Sequence, residues 1–195
     1  MKTLVLIATL ILLAGSSQAE NTKFSLEATG GKQLVQFVSN AALEKIVGKA
    51  SEMSGTLSVD LQKLTSNASG SVSVDMRSLD TGLSLRNQHM RVNHLNTDEY
   101  PYSTFTLKSI VTAEPPDISA GGTSNTLIRG TLELRGVKKD YEMLGTLSYD
   151  PALNVLTAYY KWNLFLMDHG MVRPDFLFMK LAEKQEITVE LQFTK

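Results

Sequence analysis

Arg86 and His89 stand three residues apart in a polar stretch of good helix formers, one turn apart if that stretch is helical. Both side chains could then leave the same face. An arginine offers a charge-assisted fork, and a histidine donates or accepts according to its protonation. Such a pair suits a phosphate, quinone or hydroxyl group. The structural alternative pairs Arg86 with Asp75 or Asp80 and leaves His89 to pack the helix. An acid–base or metal reading would join His89, His94 or His169 to Asp80, Asp98, Glu99 or Asp168. The spacing argues against it. His89 and His94 are five apart, there is no cysteine and no His-Glu-x-x-His run, and no serine sits in a Gly-x-Ser-x-Gly turn. These residues predict binding without catalysis, no metal site and no cofactor.

The elements that must position them are mostly strands. Ser73, Asp75 and Arg77 alternate with Val72, Val74 and Met76, the period of a strand with one apolar face. Thr81-Gly82 breaks the run. Leu83 to Leu95 predicts a short helix with apolar Leu85, Met90, Val92 and Leu95, ended by Tyr100-Pro101 before Thr104 to Leu107 restarts a strand. Upstream, Phe24-Ser25-Leu26 and Leu34 to Val38 predict a hairpin broken at Gly30-Gly31, and Asn40 to Ala50 a short helix or irregular crossing. Leu57, Val59 and Leu61 form a second hairpin with Val72, Val74 and Met76. Glu114 to Asn125 predicts a long surface loop, followed by strands over Leu127 to Leu134, Tyr141 to Tyr149, Val155 to Leu166 and Ile187 to Phe193. In the last of these, Ile187, Val189, Leu191 and Phe193 share one face. About eight strands in meander order predict an all-β, antiparallel, lipocalin-like β-barrel with a short helix in the 83–95 region, since closure removes exposed edges.

Such a barrel is either filled or holds one narrow apolar ligand, and the candidate lining is Leu57, Val59, Val74, Met76, Phe105, Leu132, Leu134, Met143, Leu147, Trp162 and Leu164. Ordinary core packing is the other reading of each. Met167, Met171 and Met179 beside Phe165, Phe176 and Phe178 add a candidate apolar entrance.

Ser78-Leu79, Thr81-Gly82, Arg86, His89-Met90, Leu95, Thr97, Tyr100-Pro101 and Thr104-Phe105 resemble, in order and spacing, the central pattern of the YceI-like family of secreted polyisoprenoid-binding proteins. The resemblance implies a ligand that is an isoprenoid lipid, an isoprenoid quinone or a related amphiphile, with Arg86 and His89 near its head group. The chain departs from the pattern at Asn40, where the family commonly has histidine, and at Asn87, where an acid often follows the arginine. Asp168-His169-Gly170 and Arg173 to Phe176 match only loosely.

Lys2, the apolar run Leu4 to Ala14 and the small residues Ser17 and Ala19 predict a secretory leader over 1–19, cut before Glu20. The run of eleven is short against the roughly 20 residues that span a bilayer, so no stable membrane anchor is expected. The mature 20–195 segment reads as one domain, periplasmic or secreted. Without cysteine, no disulfide supports it. The formal charge of −1 becomes −2 once Lys2 leaves, with no basic stripe, which excludes nucleic acid as an expected partner. A homodimer is allowed. The competing function is an exported stress-protective or protein-interaction module with a filled barrel, using the 114–125 loop.

Overall fold

The computed structural model describes residues 21–26, 32–40, 44–172, 175–176, 179–180 and 182–195; the expected leader and Gly30-Gly31 lie outside the described residues. In chain order the strands are β1 (Thr22–Leu26), β2 (Leu34–Asn40), β3 (Lys45–Ala50), β4 (Met53–Val59), β5 (Ser69–Asp75), β6 (Tyr102–Glu114), β7 (Gly122–Leu134), β8 (Val137–Asp150), β9 (Val155–Phe165), β10 (Asp175–Phe176), β11 (Met179–Lys180) and β12 (Lys184–Thr194). Helix α1 (Ser84–His89) runs into a π-helical turn, Met90–Leu95, and 3-10 turns span Met76–Ser78 and Leu166–His169.

Strands β4 to β9 and then β12 pair in succession, all antiparallel, while β10 and β11, among the described residues, pair with each other. β1 lies between β4 and β12, and β2 between β12 and β3. β1 and β2 are thus two halves of one interrupted strand along β12. β3 and β4, separated by Ser51 and Glu52, are two halves of the next. Counted so, eight strands close an antiparallel barrel, the expected fold class.

Several local expectations are corrected. β1 and β2 do not form a hairpin with each other, because both take β12 as partner instead. The 40–50 segment is not helical where described: Lys45–Ala50 is a strand whose inner positions are Ile46, Gly48 and Ala50, too small at two of three to show the alternation. The 114–125 loop shrinks to 115–121. Its polar Thr, Ser and Asn residues from Gly122 onward belong to β7 and pair with β8 through Thr146, Leu147, Ser148 and Tyr149. Propensity reads such residues as loop, but a cross-strand partner overrides it.

The register aligns inward side chains across neighbouring strands. Val72 faces Phe105, and Phe105 faces Leu132. One end is plugged: Leu61, Leu64 and Ile118 are buried, with Leu64 N–H donating to Pro116 and Ile118 N–H to Leu61. Phe24 adds an edge-to-face contact with Tyr149 there, with centroids 5.9 Å apart. The other end carries α1, the π turn and the 166–169 turn.

Candidate ligand-binding site

The barrel is hollow toward its middle. A cavity of about 200 Å³ is walled by Leu57, Val74, Met76, Phe105, Leu132, Leu134, Met143, Leu147, Trp162 and Leu164, together with the inner face of β12, Ile187, Val189, Leu191 and Phe193. Only a few hydroxyl and amide residues, such as Gln36, Thr56, Ser71 and Ser103, interrupt the apolar wall. Of the expected lining, Val59 alone lies elsewhere. It is wholly buried at the plugged end, beyond the cavity.

The space exists because large rings lie flat on neighbouring backbone. A Cβ on Gly48 would stand 2.1 Å from the Phe37 ring, and one on Gly130 would stand 2.2 Å from the Phe105 ring. Each ring therefore occupies the place of a side chain on the next strand and leaves the centre open. Tyr160 also faces the cavity. Its hydroxyl is 2.6 Å from Thr126 Oγ1, and burial pushes its pKa up to about 12, so it remains neutral.

A second chamber of about 220 Å³ lies under the helical cap. Phe37, Met76, Leu79, Leu134, Leu164 and Ile187 wall both spaces, so the chambers abut across these six side chains. Neither alone reaches the roughly 300 Å³ typical of the smallest ligand pockets, whereas the two joined do. Arg86 and His89 line this cap chamber with Glu44, His94, Gln185 and Met171. The structure therefore brings both predicted polar residues to one end of the apolar interior.

Arg86 is held in place by its own end of the fold. Its Nε donates to Thr81 Oγ1 at 2.9 Å, Nη2 to the Thr81 carbonyl at 2.8 Å and Nη1 to Glu44 Oε1 at 3.0 Å. The alternative partners are otherwise engaged: Asp75 takes Arg77, and Asp80 accepts from Asn87 at 2.6 Å. Asn87, at the position where an acid often occurs, is buried and accepts from Thr81 N–H and hydroxyl. It thereby orders the strand-to-helix junction without a charge. We expect Arg86→Ala to cost about 1–2 kcal/mol, because it leaves the buried Thr81 carbonyl and hydroxyl without their charged donor, while Glu44, 40% exposed, turns to water. Lysine should restore little, since it lacks the fork. Thermal unfolding checks this, and an alanine variant as stable as the parent would remove Arg86 from the support of the cap.

His94 is half-buried in the same chamber. Burial, followed by the nearby His89 and Arg135, holds its pKa below the usual histidine range. His169 is fully buried away from it, with Nε2 2.9 Å from the Tyr141 hydroxyl and Nδ1 3.2 Å from the Val137 carbonyl. Among the described residues, no group of three or more His, Cys, Asp or Glu could hold a metal. Phe178 and the side chains of Phe176 and Met179 lie outside the described residues. Of the other members of the expected entrance, Met171 is buried in the cap wall, while Phe165 and Met167 are exposed.

The family model for a YceI-like domain matches residues 24–193, nearly the whole described barrel. The chain belongs to the YceI-like family. Solved structures share the fold. BcnA of Burkholderia cenocepacia superposes with a TM-score of 0.69 at 18% identity, over 86% of this chain and 98% of that one. A polyisoprenoid binding domain from Saccharophagus degradans, implicated in plant cell wall breakdown, gives 0.67 at 17% identity, over 88% and 97%. The Campylobacter jejuni YCEI protein gives 0.57 at 16% identity, over 74% and 82%. No curated protein sequence matches the chain.

Sequence reasoning missed most of the cap chamber. Ile46, Leu79, Leu83, Met90, His94 and Leu166 come from four separate segments, and no periodic pattern joins them. The β12 face did carry its signal, four apolar residues at alternate positions, yet these stayed outside the candidate lining.

Proposed function

We propose that this YceI-like protein binds one long apolar chain, a polyisoprenoid, isoprenoid quinone or related lipid, along the barrel axis. It does so as a carrier or sequestering protein in an exported compartment, periplasmic or secreted. The observation that carries this is the pair of abutting chambers, apolar along the barrel but for a few neutral hydroxyl and amide side chains, with the charged wall residues, among those described, all under the cap. A chain buried there gains roughly 0.8 kcal/mol per methylene without any ionic contact. The family membership and the polyisoprenoid binding domain of similar fold support the same class of ligand. A filled barrel acting by its outer surface would not leave such a space. Export is supported by the leader pattern at 1–19.

Native mass spectrometry with lipid extraction, on mature protein purified gently from its own compartment, tests the reading. One copurifying isoprenoid species near equal stoichiometry is the expected result. A clean ligand-free mass that also ignores added isoprenoids would overturn it.

A further inference from the structure

The charges around the cap chamber are unbalanced. Among the described residues Glu44 is the only carboxylate on its wall, and it is bonded to Arg86 at 3.0 Å. The other titratable wall residues are His89 and His94. Behind them, Arg91 on the π turn and Arg135 on the β7–β8 turn are partly buried, and neither has an ion pair among the described residues. The Nε of each is buried with no hydrogen-bond partner. Arg91 Nη2 donates to the Leu79 carbonyl and Arg135 Nη1 to that of Gly170, so both guanidinium groups are held by neutral acceptors. The remaining nearby acids, Asp80 and Glu99, are exposed, where water screens them, and they bond to Asn87 and Asn96. Tyr100, the other titratable neighbour of Arg135, is held neutral beside Glu99.

Resting on the lipid reading above, we propose that the cap chamber is a subsite for an anionic oxygen head group, a carboxylate or phosphate on an apolar chain, and that His94 takes up a proton when it binds. Two partly buried guanidinium groups with no ion pair among the described residues, Asp80 acting on Arg91 only from its exposed position, give this end a positive potential. The same potential, with burial, keeps His94 neutral in the empty protein. An anion in the chamber reverses that balance and turns the imidazole into a second charge-assisted donor. A neutral alcohol or quinone would fit the apolar chambers equally well but could not draw on this potential. The head group would thus be sorted by charge while the barrel sorts the chain.

The test is a matched pair of probes, geranylgeranoic acid and geranylgeraniol, titrated between pH 6 and 8. Trp162, the chain's one tryptophan and a wall residue of the barrel, reports binding by fluorescence. The acid should bind about tenfold more tightly than the alcohol at pH 6, the size of one charge-assisted hydrogen bond. Its advantage should shrink toward pH 8, while the alcohol's affinity stays flat. Calorimetry in two buffers of different ionisation enthalpy should show proton uptake with the acid only. His94→Gln should remove both the proton uptake and the pH dependence of the acid's binding. Equal binding of both probes at every pH, or no proton uptake by the parent protein, overturns the anion subsite and leaves the lipid reading standing. Binding of neither probe overturns the lipid reading and this subsite with it.

Discussion

Replacing Leu132 and Met143 together by phenylalanine should weaken the binding of long apolar chains about a hundredfold while the protein remains folded. Both side chains face the barrel cavity from adjacent strands, β7 and β8. The added ring volume enters space that is already empty, so the usual overpacking cost of about 1–3 kcal/mol should be at its low end. A chain denied about four methylenes of burial loses roughly 3 kcal/mol, a fall in affinity of about two orders of magnitude. Leu144, on the outer face of β8 and 73% exposed, provides the control, since its truncation should leave affinity unchanged. Unaltered binding by the double variant, with native near-ultraviolet circular dichroism, would place the ligand outside the barrel.

The barrel was legible because its strands carry period-2 alternation where one face is apolar, as in Ile187 to Phe193 and Val72 to Met76. Legibility failed where the inner face is small or polar. Gly48 and Ala50 hid β3, and Ser124 and Thr126, both fully buried, hid the first half of β7. Ten of the eleven candidate lining residues stand on the cavity wall, yet alternation alone could not separate them from Val59. That distinction depends on depth along the barrel axis, which is set by Leu61, Leu64 and Ile118 at the plug. Whether the barrel is hollow was out of reach for the same reason. It turns on rings resting against glycines of neighbouring strands, a property of register. At the cap, the helical spacing of Arg86 and His89 was readable. The capture of Arg86 by Glu44 was not, because the two meet only through tertiary packing, 42 positions apart.

His169 should make the protein lose stability on mild acidification, in a pH window separate from that of its carboxylates. Its Nδ1 lies against a carbonyl, which can only accept, so the neutral ring carries its proton there and Nε2 accepts from the Tyr141 hydroxyl. Tyr141 can play that part throughout, because burial and then Asp168 push its pKa up to about 12. Burial is also the largest influence on His169, holding its pKa below the usual value against smaller upward contributions from the Val137 carbonyl and Asp168; Lys139 pushes it further down. With the folded pKa below the unfolded one, the unfolded chain binds the proton more readily. The contribution of His169 is therefore complete above about pH 6.5 and is lost as the pH falls from there toward its depressed folded pKa. Asp75, Asp80, Asp140 and Glu186 are also held below their usual values, so their contributions fade only near and below about pH 4.5. The consequence reaches the site, because the Leu166–His169 turn and Met171 after it form part of the cap wall. Melting temperature followed from pH 8 to 5 should decline below pH 6.5 in the parent. His169→Ala should be less stable by about 2–4 kcal/mol at pH 8 through the lost hydrogen bonds and the cavity left behind, and its profile should be shallower across that interval, with the slope that remains belonging to His94. A variant that retains the parent's slope between pH 6.5 and 5 would assign the acid sensitivity to another group, with His94 the next to substitute.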